Sequence, residues 1–352
     1  MSELKTEEKR IYPLQFTGSG GEYFRIWIVN LALTLLTLGI YSAWAKVRRK
    51  RYFNNHTLLD GHPFDYLADP VAILKGRAIA FVCLLVYLLA QSFLPLISAL
   101  LLLLFFVVTP WIVVRALQFN ARNSSHRGLR FDFQGSLAES YIVFLGFAVL
   151  SMLTFGLAAP YLFYRKTAFI AGNHVYGNLH SSFHGRVWPF YRIFLVSIGI
   201  LLGSVFLVLV GLIAVEGMPS FTNSAGIGAL MLYLMGGLLA FYAALPIVAG
   251  YFSARLAQQT FLGTQFGDLG FESRHRARGL IWLYVSNVIL IALTLGIFIP
   301  WAQVRSARFW IDNLGVIGPA QGLDNVVAAA GQGLSATGSE MADVFDVDLG
   351  VG

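Results

Sequence analysis

Charge is scarce in this chain of 352 residues, where Asp, Glu, Lys and Arg make up 12%. Soluble domains carry about 25%. Cysteine is nearly missing: the single Cys83 allows no intrachain disulfide. The centres of the long apolar runs hold no Asp, Glu, Lys, Arg or His, which disfavours proton-coupled passage through such groups. No Walker loop, dinucleotide fingerprint, nucleophile elbow or pair of catalytic carboxylates occurs. The expectation is a non-enzymatic protein without a cofactor. These absences exclude a soluble globular enzyme and a disordered chain. A β-barrel is excluded as well, because its signal would be short alternating segments.

What is present is apolar: 57% of the residues, with a mean hydropathy of +0.68. Uncharged runs cover 26–45, 78–114, 140–164, 193–215, 217–254 and 279–304, nearly half of the chain. About 20 apolar residues in a helix cross a bilayer core of about 30 Å. The 78–114 run is too long for one crossing and divides near Gln91, Ser92 and Pro95. The 217–254 run opens with a Gly/Ser/Pro/Asn loop. The reading is an all-α polytopic transmembrane bundle of about seven helices, at 26–45, 78–94, 96–114, 140–164, 193–215, 227–254 and 279–304. A polar segment, 1–20, precedes this transmembrane repeat domain of 21–319. The stretch 320–352 has five acids and no Lys or Arg, and reads as a flexible acidic tail.

The chain resembles itself. NLALTLLTLGIYSAWAKVRRKR (30–51) and NVILIALTLGIFIPWAQVRSAR (287–308) share twelve of 22 positions at an offset of 257. A weaker copy lies at offset 117, where Glu139, Gly156, Tyr161 and Arg165 match Glu22, Gly39, Trp44 and Arg48. Each copy ends in an aromatic, an Arg, an aromatic and an amide or imidazole, four residues apart: Trp44/Arg48/Tyr52/His56, Tyr161/Arg165/Phe169/Asn173 and Trp301/Arg305/Phe309/Asn313. Trp111/Arg115/Phe119/Asn123 repeats the pattern, and Ile247/Tyr251/Arg255/Gln259 is a degraded version. Spacing of four keeps such side chains on one helix face. Trp and Tyr settle at headgroup level and Arg snorkels to phosphates. Trp44, Tyr52, Trp111, Phe119, Tyr161, Phe169, Trp301 and Phe309 therefore read as interfacial anchors. Gly39, Gly156, Gly296, Pro110, Pro160, Pro246 and Pro300 read as kinks or breaks.

Two topologies are open. If every run crosses once, the two faces carry 13 and 12 Lys/Arg, and the positive-inside rule does not separate them. If the first, fourth and seventh helices break and re-enter, all basic ends share the cytoplasmic face. The dense KVRRKR cluster is placed in the cytoplasm.

Candidate ligand contacts are Asn30 and Asn287, equivalent polar residues in apolar helices, and Arg48, Arg115, Arg165 and Arg305, which could converge on an anionic headgroup or solute. Helix–helix adhesion by the two asparagines is the plainer reading. His174, His180 and His184 share a loop, but no Cys or helical His pair supports a metal. Asp60, Asp65 and Asp69 would be the acids of a lipid-modifying site. Asp60-Gly61, 130–133 and 266–271 read as short hairpins with alternating aromatics.

The run FTGSGGEYFRIWIVNLALTLLTLGIYSAWAKVRRKRYFNNHTLLDGHPFDY, the later TLGIFIPWAQVRSARFWIDNL and the acidic end resemble the YjgN-like bacterial inner-membrane proteins, a domain-of-unknown-function family. The likeness extends from about Phe16 to Gly350; Phe155 and Tyr161 depart from it in the middle copy. It implies a multi-pass protein of the bacterial inner membrane and no particular activity. The leading functional reading is passage or binding of a small solute or lipid within the bundle. The alternative is a structural or interaction protein whose basic loops bind anionic lipid or a partner. The expected partners are membrane lipids with anionic headgroups, and nucleic acid is not expected.

Overall fold

The computed structural model describes residues 9–218 and 224–319. Its element order corrects the all-α expectation: ten short strands form a closed antiparallel barrel. They are β1 (Lys9–Phe16), β2 (Thr57–Leu59), β3 (His62–Tyr66), β4 (Ser124–His126), β5 (Leu129–Phe133), β6 (His174–Tyr176), β7 (Leu179–Phe183), β8 (Thr264–Phe266), β9 (Leu269–Ser273) and β10 (Leu314–Pro319). Neighbours in sequence are neighbours in the barrel, and β1 pairs with β10 to close it. The reason the barrel escapes hydropathy is length, since most strands have three or five residues. Burial does not alternate strictly, since Ser125 and His126, Val175 and Tyr176, and Gly315 and Val316 are buried side by side. Tyr12, Leu59, Tyr176, Leu269 and Val316 are buried together, with Leu14, Phe64, Phe131, Phe266 and Phe271 packed against them. Intervening residues such as His62, Arg130, His180 and Gln265 are exposed. Closure leaves no bare strand edge. It also leaves a central lumen of about 400 Å³.

The connections alternate. Four strand pairs are joined by tight turns; at Asp60-Gly61 and Arg127-Gly128 both central residues have positive φ, the hairpin geometry that matches strand twist. Every other connection is a pair of helices. These pairs are α1 (Gly20–Leu36) with α2 (Ser42–Asn55), α3 (Pro70–Phe93) with α4 (Pro95–Arg122), and α5 (Leu137–Leu153) with α6 (Ala159–Ala171). The last two are α7 (Trp188–Glu216) with α8 (Ser224–Gly263), and α9 (Ala277–Leu293) with α10 (Ile299–Asp312). Residues 141–146 of α5 form a π-helical stretch. Each helix packs on its neighbours in chain order and α10 packs on α1, so these helices form a ring standing on one end of the barrel. The tight turns and the outer ends of β1 and β10 lie at the opposite end.

Five equivalent hydrogen bonds close the necks between helix pair and barrel. The amides of Thr17, Leu67, Gln134, His184 and Arg274 donate to the carbonyls of His56, Asn123, Asn173, Gly263 and Asn313 at 2.7–2.9 Å. Asn123, Asn173 and Asn313 also donate their side-chain amides to the carbonyl four residues earlier, so they terminate their own helices. Where β1, β5 and β7 lead into helices, an aromatic ring folds over a glycine two residues on. A Cβ on Gly18 would stand 2.7 Å from the Phe16 ring, and one on Gly135 2.6 Å from the Phe133 ring. Ser19 and Ser136 then cap α1 and α5 through their hydroxyls, each with a Glu three residues later, as in a capping box.

Four helices, not seven, are long and apolar enough to cross a membrane among the described residues: α3, α4, α7 and the part of α8 from Ile227. The runs expected as single helices at 26–45, 140–164 and 279–304 are each two short helices joined by a turn, at Thr37–Tyr41, Thr154–Ala158 and Thr294–Phe298. In each turn a residue with left-handed φ (Leu38, Phe155, Leu295) precedes a glycine with φ of 94°, 87° or 91°. The glycine amide donates to the carbonyl five residues back at 2.7–2.8 Å. The Thr hydroxyl donates to the carbonyl four residues back and accepts from the amide four residues on. Backbone polarity is thus satisfied inside the turn, which is what hydrocarbon requires.

The turn tips are wholly bare and apolar: Leu38, Phe155 and Leu295 are 95%, 98% and 94% exposed. Each stands ten positions before an arginine (Arg48, Arg165, Arg305), about 15 Å of helical rise and half of a hydrocarbon core of about 30 Å. The short pairs are therefore helical hairpins about half as long as a bilayer crossing. In α3 nine successive residues, 78–86, are exposed, so no face of that stretch is covered by the rest of the chain. All Lys and Arg among the described residues sit at the barrel end of the helices or on the barrel. The tail 320–352 and the first eight positions of segment 1–20 lie outside the described residues.

Candidate functional site

The arginines recur once per helix pair, and the ring spreads them around its circumference rather than bringing them to one point. Arg115 stacks on Trp111 at 5.8 Å and Arg255 on Tyr251 at 5.9 Å, the four-residue pairing expected from sequence. Arg165 instead lies over Phe147 and faces Glu139 at 3.6 Å. Arg305 lies over Phe298 and donates to Asn287 Oδ1 at 2.9 Å and Ser286 Oγ at 3.1 Å. Arg48 is exposed.

The two asparagines differ. Asn287 also donates to Ser306 Oγ and the Ala302 carbonyl, tying α9 to α10. Asn30 is equally buried, but its Oδ1 has no partner. The second aromatic of each repeat end turns inward. Tyr52 and Phe169 are buried, Tyr52 with Phe16 and Tyr23, Phe169 with Phe133. Phe119 packs on the cluster around Tyr66 and Phe309 on that of α9. Trp44, Trp111, Tyr161 and Trp301 are half-buried, and Trp301 stacks on Phe24 at 4.8 Å. Gly39, Gly156 and Gly296 sit in the three membrane turns, and Pro160 and Pro300 open α6 and α10. Pro110 and Pro246 lie inside α4 and α8, which continue past them.

The acids are dispersed by structural duties. Asp60 pairs with Arg127 at 2.9 Å, Asp65 accepts from the Tyr66 amide, and Asp69 caps α3. His174 is half-buried with its Nδ1 on the Ile170 carbonyl, and burial lowers its pKa. His180 and His184 are exposed. Among the described residues no three His, Cys, Asp or Glu side chains gather as a metal site would need.

One grouping joins cations and aromatics on the membrane side of the barrel. Trp188, Pro189, Arg192 and Ile193, at the start of α7, face Tyr251, Arg255 and Gln259 near the end of α8, around a cavity of about 210 Å³. Trp188 is 70% exposed. Arg192 and Arg255 are exposed, and neither meets a carboxylate among the described residues. Arg192 and Trp188 were not among the sequence candidates; the aromatic and Arg four apart at a helix start carry the same signal as at the helix ends.

These features define a class: a multi-pass helical membrane protein with long and short helical hairpins, capped at one end by a small barrel. The profile of "Bacterial protein of unknown function (DUF898)" matches residues 11–344, and the chain belongs to that family. It is 26% identical over 370 residues to inner membrane protein YjgN of Salmonella typhimurium, covering 91% of this chain and 92% of that one. It is 32% identical over 129 residues to inner membrane protein YjgN of Escherichia coli O157:H7, covering 35% of this chain and 31% of that one. No solved structure matches. The protein is an inner-membrane protein.

Proposed function

We propose that the protein binds anionic phospholipid at the cytoplasmic surface of the inner membrane and orders the bilayer around its hairpins. The observation that carries this is the groove of Arg192 and Arg255 between Trp188 and Tyr251. Two exposed guanidiniums without a carboxylate sit at headgroup depth, flanked by the side chains that favour that depth. The clustering of Lys and Arg on the barrel face, with the membrane turns uncharged, supports a cytoplasmic barrel. The recurrence of helix pair and strand pair, together with the match of 30–51 to 287–308, supports an origin by duplication. Solute passage draws less support, because Asn287 is engaged by Arg305. A catalytic role draws none from Asp60, Asp65 and Asp69.

The test is native mass spectrometry of the detergent-solubilised protein titrated with phosphatidylglycerol or phosphatidylcholine. Juxtamembrane cations contribute about 1 kcal/mol each, so R192Q/R255Q should weaken phosphatidylglycerol binding roughly thirtyfold. Equal retention of both lipids, or an unchanged double variant, refutes the reading.

A further inference from the structure

A second cationic group, sharing no residue with that groove, lies where α2, α3 and α4 meet the end of β3. Ser42, Lys46 and Lys50 stand four apart on α2 and share one face of it. Arg77 of α3 donates to Ser42 Oγ. Lys50 Nζ donates to Asn120 Oδ1 of α4 and to the Tyr66 hydroxyl at 3.4 Å, and it lies over the Tyr66 ring at 4.5 Å. The row from Ser42 to Lys50 covers about 12 Å of helical rise. It borders the buried cluster of Ala43, Val47, Tyr66 and Ile73. Arg77 immediately precedes the bare stretch 78–86, so one end of the row lies where the apolar surface begins.

Lys46, Lys50 and Arg77 are each half-buried, whereas Arg48, Arg49, Arg51 and Lys75 around them are exposed. No carboxylate meets any of the three among the described residues. Lys46 has no hydrogen-bond partner there at all. Burial, then the charges of Arg77 and Arg49, lowers the pKa of Lys46; burial, then Lys46 and Arg49, lowers that of Lys50. The acids at this end of the helices are engaged: Asp65 accepts from the Tyr66 amide and Asp69 caps α3. The repeated architecture does not require these cations. At the offsets of 117 and 257, Lys46 is matched by Phe163 and Gln303, and Lys50 by Thr167 and Ala307. Like charges drawn together out of water are costly unless an opposite charge compensates them.

We propose that this row binds a phosphate monoester group, held by the ammoniums of Lys46 and Lys50 and the guanidinium of Arg77. A monoester carries a charge of about −1.5 to −2 at pH 7 and three terminal acceptor oxygens, against one charge and two such oxygens for a diester. Lys46 brings three unused donors, and Arg77 keeps donors beyond the one given to Ser42. Asn120 steadies Lys50 from α4. The same chemistry comes from two sources. A lipid with a monoester headgroup reaches the row from the bilayer, and a soluble phosphate reaches it from the cytoplasm.

Two arms on the full-length protein in neutral detergent test this. Native mass spectrometry with phosphatidic acid or phosphatidylglycerol, on the unsubstituted protein and on R192Q/R255Q, reads the lipid source. Thermal unfolding followed by tryptophan fluorescence, with inorganic phosphate against chloride at equal ionic strength, reads the soluble one. One phosphatidic acid should be retained in R192Q/R255Q about fivefold more tightly than phosphatidylglycerol, or phosphate should raise the midpoint above that in chloride. K46Q should weaken whichever is bound about fivefold, the effect of one juxtamembrane charge, and K46R should restore it. Without ligand K46Q should unfold no earlier than the parent, whereas loss of a merely structural tie would lower the midpoint. Retention of phosphatidic acid alone assigns a headgroup, and a phosphate shift lost in K46Q assigns a soluble ligand. Equal retention of the two lipids with no phosphate shift, or K46Q binding as the parent does, overturns the proposal. The preference of the unsubstituted protein for the monoester decides it even where a variant fails to fold.

Discussion

Replacing Asn30 and Asn287 separately by leucine separates sequence equivalence from structural equivalence. The two occupy matched positions in matched segments and are 8% and 7% exposed. Asn287 accepts from Arg305 at 2.9 Å and donates to Ser306 Oγ at 3.3 Å. A hydrogen bond to a charged group contributes about 1.5–3 kcal/mol in soluble proteins. Interhelical bonds in membranes average nearer 0.6 and reach about 1.7 kcal/mol. N287L also leaves Arg305 with only Ser286, so a loss of about 1–2 kcal/mol is expected. Asn30 presents an oxygen with no partner, and Arg48, which stands where Arg305 does, is exposed instead of reaching it. N30L removes an unpaired buried acceptor and should be neutral or stabilising by up to about 1 kcal/mol. Reversible unfolding by SDS in mixed micelles, followed by circular dichroism, measures the difference. Shifts of the same sign and size in both variants would refute the assignment of Asn287 as the α9–α10 tie.

In a Cys83→Ser background, cysteines placed at Leu38, Phe155 and Leu295 should resist membrane-impermeant maleimide from both sides, whereas one at Asn178 should react from the cytoplasmic side alone; modification of the Leu38 position from the periplasm would show a full crossing. Stability should fall as pH drops from about 6.5 towards 4. The unfolded His126 takes up a proton in that window and the folded one, with its pKa near 4, does not; the loss approaches about 3 kcal/mol. Burial lowers His174 and His275 in the same direction, while His62, Asp60 and Arg127 surround His126 on the turn side. Unfolding midpoints measured against pH should show a shallower acid loss in H126F, and an unchanged slope would contradict the burial argument.

The membrane character was legible because it rests on bulk hydropathy, which no tertiary contact can alter. The family likeness was legible too, in TLGIYSAWAKVR and its later copy. So were the breaks at Gly39, Gly156 and Gly296, since a Thr-x-Gly triplet in an apolar run is a local signal. What those breaks mean was not local. A 20-residue uncharged run with a turn in it has the composition of one long helix, and only the return of α2, α6 and α10 beside α1, α5 and α9 shows a hairpin. The barrel was hidden for a related reason. Strands of three to five residues, such as Leu129–Phe133, draw their stability from partners far along the chain, so Arg130 and Phe266 looked like isolated interfacial hairpins. Asn30 and Asn287 show the same limit at a single side chain: type and spacing are written in the sequence, but whether an arginine arrives to meet the amide is decided by packing.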